Sequence, residues 1–200
     1  MKTNSNFQKT LLKSGIRVVT ENHPSARAAV AGVWSDVGTR YESPDDSGVS
    51  HLIEHLLFKR TKNRTAFQIA KEMEAVGGDI NAFTGREHTC FHTHSLSEHL
   101  SLSLDLLSDV FCRPAFDLSD LEKEKQVVIQ EIRMSEEQVE ESIFDRFLTL
   151  AYRGSSLSLP ILGTVESIET MRKKQILDYY LTHYGPKQTI VAVAGRVDHH

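Results

Sequence analysis

The sequence predicts an α+β fold, a mainly antiparallel sheet packed against helices, on three observations. Apolar runs of strand length stand at 28–38 and 188–195. Two segments alternating with period two, DINAFTGR and HTCFHTHSL, follow one another as an antiparallel pair would. Helical periodicity fills much of the remaining chain, but strands and helices do not alternate strictly, which speaks against a doubly wound parallel sheet.

Taken in order, KTLLKSGIRVVT (9–20) reads as two short strands around Ser14-Gly15. AAVAGVWSDVG (28–38), closed by Gly38, reads as a buried strand. The loop TRYESPDDSG follows, and Asp46 or Ser47 is placed to cap the helix behind it. That helix carries SGVSHLIEHLLFKRT. TAFQIAKEMEAVGG repeats the helical pattern, with Thr65 and Gln68 as a capping box and Gly77-Gly78 as its stop. After the strand pair, residues 97–111 are helical with Leu100, Leu104 and Leu107 inward. Residues 118 to about 151 read as one long helix with an apolar stripe of Leu121, Val128, Ile132, Val139 and Ile143. SSLSLPILG is a loop, 165–184 hold two further helical segments, and QTIVAVAG is a last buried strand.

Two hundred residues suffice for one domain, 1–200, with a sizeable core. A net charge of −4, from 23 basic and 27 acidic residues, offers no basic patch for nucleic acid. Cys90 and Cys112 do not form a disulfide framework, which points to a reducing, cytoplasmic setting. MKTNSNFQKT has no signal-peptide core, and no segment approaches the roughly 20 apolar residues of a membrane span. GRVDHH follows a strand-like run and predicts that the protein continues. Ten histidines are many, so metal or proton chemistry is worth seeking.

His51 and His55 stand four apart, on one helical face, with Glu54 beside both. A lone histidine in an apolar segment is usually a hydrogen-bonded core residue. Two imidazoles and a carboxylate together each need a partner, and a buried unpaired carboxylate is costly. A divalent cation would satisfy them, and HxxEH is the inverted form of the HExxH zinc motif. A catalytic zinc usually takes three protein ligands. On the long helix, Glu122, Glu137, Glu140 and Glu141 fall on the solvated side, whereas Glu124 and Glu131 flank the apolar stripe. Glu131 is the better ligand candidate and Glu124 its supporting partner, although stripe edges often carry charges with no such role.

HxxEH followed by a glutamate 76 residues after the second histidine resembles the M16 (pitrilysin, insulinase-like) zinc metallopeptidases, which include the mitochondrial processing peptidase. FKRTKNRTAFQIAKEMEAVGGDINAFTGREHTCF, EKQVVIQEI, LPILGTVESI and YGPKQTIVAVAGRVD look like family segments in family order. The resemblance covers about residues 10 to 198. It implies that His51, His55 and Glu131 are zinc ligands, Glu54 the general base, and Glu124 the supporting acid. It likewise implies that Asn81, Ala82 and Phe83 form the edge strand pairing with a peptide substrate. Arg60 stands where the family usually has glycine, and Gly85 where it commonly has a small polar residue. The fold implied is one half of an M16-type clamshell. A second homologous half, in the same longer chain or as a separate subunit, would then supply an Arg and a Tyr near the substrate carbonyl.

A rival cluster, His88, Cys90, His92 and His94, shares one strand face. Neighbours on one strand splay apart and close a tetrahedron poorly, so a plain polar face is the expectation. The function expected is therefore a one-zinc endopeptidase acting on peptides or unfolded segments. The alternative is a non-catalytic or partner-dependent subunit of the same fold, though members of that kind usually lose the zinc motif.

Overall fold

The computed structural model describes residues 7–199, apart from the side chain of Glu141. The segment 1–6, His200 and the expected solvated position of Glu141 lie outside the described residues. The strands are β1 (Phe7–Leu11), β2 (Arg17–Asn22), β3 (Ala28–Ser35), β4 (Asp79–Thr84), β5 (Thr89–Leu96) and β6 (Thr189–Gly195). The α-helices are α1 (Val49–Lys59), α2 (Ala66–Glu74), α3 (Leu100–Cys112), α4 (Leu118–Glu137), α5 (Val139–Ala151), α6 (Val165–Thr170) and α7 (Lys173–His183).

One six-stranded sheet has the order β1-β2-β6-β3-β5-β4. Its pairings are antiparallel except β2 with β6, where Arg17 faces Ile190 in parallel register. The α+β expectation, with a mainly antiparallel sheet, holds. β4 is an edge strand, as the resemblance implied for Asn81–Phe83.

The core lies between the sheet and the helices. Ala31, Val33, Phe91 and Val193 meet Leu52, Ile53, Leu56, Leu107, Val128 and Ile176 there. β3 and β6 are interior strands, yet their apolar runs are not buried on both faces: Val30 remains 40% exposed. On the sheet face away from that core, Val19, Val30, Trp34, Phe83 and Ala192 line a shallow groove of about 370 Å³.

Local signals were obeyed at α2. Thr65 accepts from the Gln68 N–H, the Gln68 side chain returns the bond, and Gly77 adopts φ 67° just beyond the helix. Two expectations fail. α1 is capped by neither Asp46 nor Ser47. Its N-cap is Gly48 at φ 86°, with no side-chain cap of its own. The long helix over 118–151 breaks at Gln138, which is extended (φ −84°, ψ 107°). In a continuous helix, Glu136/Glu140 and Glu137/Glu141 would be two like-charged pairs four apart, which disfavours that turn. The break also ends the predicted stripe. Leu121, Val128 and Ile132 are buried, but Val139 and Ile143 are 78% and 62% exposed.

Candidate metal centre

α1 is helical because Val49, Leu52, Ile53, Leu56 and Leu57 recur at steps of three and four and all bury. That burial fixes the helix rotation and turns His51, Glu54 and His55 together toward α4 and β4. The two imidazole centroids lie 4.6 Å apart. From α4, Glu131 Oε2 lies 3.8 Å from His51 Nε2 and 3.4 Å from His55 Nε2.

Among the described residues, His51, His55 and Glu131 form the one group of three potential ligands whose donor atoms all lie within 4.8 Å of each other. Tetrahedral ligands about 2.05 Å from a zinc ion stand roughly 3.3 Å apart, so the donor set fits such an ion with small adjustments.

Glu124, about two helical turns before Glu131, is buried against the other side of His55. Its Oε2 lies 3.1 Å from His55 Nδ1, and its Oε1 is 2.9 Å from Lys59 Nζ. A carboxylate accepts and does not donate, so the ring proton sits on Nδ1 and the Nε2 lone pair faces Glu131. Burial, then the neighbouring His55, hold the His51 imidazole down to about 4, which keeps it neutral near pH 7.

Glu54 is mostly buried, and burial raises its carboxyl above the ordinary range while the Thr84 hydroxyl and His55 pull it back. Thr84 Oγ1 donates to Glu54 Oε2. Thr84 reaches it because Ile80, Ala82 and Thr84 share the inward face of β4, leaving Asn81 and Phe83 exposed. The Asn81 Oδ1 accepts the Ala82 N–H at 2.8 Å.

Thr84, Lys59 and a buried Glu42 behind α1 were not identified from the sequence. The period-two pattern of β4 already places Thr84 beside Ala82, and Lys59 lies four residues after His55. Glu42 carried no comparable signal, being one acid in a loop that also holds Asp45 and Asp46.

The histidine row on β5 behaves differently. Its opposite face, Thr89, Phe91, Thr93 and Ser95, is buried in the core, whereas His88 and His94 are exposed. Trp34 and Phe83 pack among the rings, with Trp34–His88 centroids at 5.5 Å and Phe83–His92 at 6.1 Å. Burial pushes the Cys90 thiol up to about 12, so it is no ready thiolate.

The family model of the insulinase peptidases, peptidase family M16, matches residues 17–165. A protein of Mycobacterium leprae described as an uncharacterized zinc protease is 42% identical over 191 residues, 96% of this chain and 43% of the relative. Another so described, from Bacillus subtilis, is 38% identical over 185 residues, 92% of this chain and 45% of the relative. Among solved structures, a protease from Helicobacter pylori superposes with a TM-score of 0.93 at 28% identity, covering 96% of this chain and 47% of that one. The chain spans about half the length of the curated relatives it matches.

Proposed function

The chain belongs to peptidase family M16, and from that premise we propose that it is the metal-binding half of a zinc-dependent endopeptidase acting on peptides or unfolded segments. The observation that carries this reading is the convergence of His51, His55 and Glu131 to within 4.8 Å. Those three residues would hold the ion, with Glu124 orienting His55. The retention of all of them, and of Glu54, weighs against a purely structural subunit.

A zinc ion supplies Lewis acidity and lowers the pKa of water to about 7. Glu54 is the proton carrier: its carboxylate takes a proton from water and returns it to the leaving amine nitrogen. Thr84 aims that carboxylate through Oε2. β4 offers an open edge on which an extended peptide can add as a further strand, its backbone held by main-chain hydrogen bonds. The Ala82 N–H is engaged by Asn81, and an incoming carbonyl would replace that bond. No group in this chain is assigned to the developing oxyanion. Since the relatives are about twice as long, we place that function in a second homologous half.

The test has two parts. The purified chain should carry one zinc per chain by elemental analysis, lost in His51→Ala and in His55→Ala; undiminished zinc in both variants would remove the ligand assignment. The chain alone should cleave an unstructured peptide poorly and gain activity when the remaining half is added or fused. One missing oxyanion donor typically costs 10²–10³ in rate, so roughly that gain is expected. Full activity from the 200 residues would refute the two-half requirement.

A further inference from the structure

Helix α1 begins without a cap of its own, and its first turn is held instead by groups from three other segments. Glu42, in the loop after β3, accepts the Gly48 N–H on Oε2 at 2.8 Å and the Ser50 N–H on Oε1 at 3.0 Å. The Ser50 hydroxyl bonds Tyr179 Oη of α7 at 3.0 Å, and that phenol also reaches the Gly38 carbonyl at 3.4 Å. Ser167 Oγ of α6 donates to the Ser47 carbonyl at 2.8 Å. Gly48 and Gly163 meet backbone to backbone: a Cβ on Gly48 would stand 2.6 Å from the Leu162 carbonyl oxygen. Glu42, Ser50 and Tyr179 are all buried.

An orphan N–H pair at a helix start is ordinarily satisfied by a side chain at the N-cap. Here both oxygens of one buried carboxylate are used, so the first turn is fixed in rotation as well as in position. Ser50 directly precedes His51. A twist of this turn would swing the His51 ring away from Glu131, whereas His55, one turn later, is separately held by Glu124.

We propose that Glu42 and Tyr179 are positioning residues for the metal centre, setting the rotation of the first turn of α1 and thereby the reach of His51 to the ion. This rests on the metal reading above. It assigns a role to two residues that touch none of the ligands.

Zinc affinity of the chain, measured by chelator competition, tests it in Glu42→Gln and Tyr179→Phe. The amide presents N–H on one side and can accept only one of the two backbone donors. Glu42→Gln should weaken zinc binding on the order of 10-fold, the loss seen when a partner that orients a ligand is removed. Tyr179→Phe, which deletes one hydroxyl and is expected to fold even where Glu42→Gln does not, should weaken it in the same direction. The Co²⁺-substituted site should change its visible absorption in both. A core truncation on α3, Leu106→Ala, should lower the melting temperature and leave affinity and spectrum unchanged. Affinities within about twofold of the parent in both variants, or an equal loss in Leu106→Ala, would overturn the proposal while leaving the ligand assignment intact. No zinc on the parent chain would overturn both.

Discussion

Nδ1 of His55 lies 3.1 Å from Oε2 of Glu124, and that contact decides which ring nitrogen is presented to Glu131. Glu124 is itself held from the far side by Lys59 at 2.9 Å. The histidine is therefore oriented by a carboxylate that is oriented in turn.

Glu124→Gln should keep the three-residue cluster but loosen it. Removing such a partner typically lowers metal affinity 10–100-fold, and that range is expected here by chelator competition. An unchanged affinity would show that His55 needs no support.

Glu54→Gln should keep zinc, because the cluster is complete without it. In the full-length protein the chemical step should fall 10²-fold or more, as for a lost acid–base group. Near-normal turnover would overturn the base role; loss of zinc would make Glu54 a ligand instead.

Replacing His88, His92 and His94 together by Ser should leave the zinc content unchanged. Their strand face carries aromatic packing and not a converging donor set. A fall of one equivalent would show a second metal site on β5.

The metal-free chain should lose stability in acid. The His51 imidazole is depressed from 6.5 to about 4 by burial, then by His55. A depressed histidine gives stability that is complete above the unfolded value and is lost as pH falls toward the folded one. The window is thus about 6.5 down to about 4, and the full loss is about 3 kcal/mol. Denaturant titrations at pH 7 and pH 4.5 should show a smaller difference in His51→Gln than in the parent. Equal differences would show that His51 is not buried in its neutral form.

How much was legible follows from where the information sits. His51, Glu54 and His55 share two turns of one helix, so spacing alone places them together. Glu124 and Glu131 stood out because they flank Val128 on the part of the stripe, Leu121 to Ile132, that is buried as expected. The break at Gln138 was missed because no Pro or Gly marks it, only an excess of like charge. Glu42 was missed because Asp46 and Ser47 were the nearer and commoner cap types. Thr84 needed the register between β4 and α1, which no local pattern contains.

The position of β6 governs when this sheet can close. β1 and β2 form a hairpin from the first described residues, but β2 joins the rest of the sheet only through β6, with Arg17 beside Ile190. The hairpin thus has no edge to dock on until residues 189–195 have left the ribosome. Such distant pairing carries a large loop-closure cost and is formed late and slowly. Meanwhile the side of β2 that will pair with β6 travels as an open strand edge, the kind of surface that invites wrong partners during synthesis. The helical layer bearing His51, His55 and Glu131 lies wholly between these two strands in sequence, so it is complete before the sheet is closed.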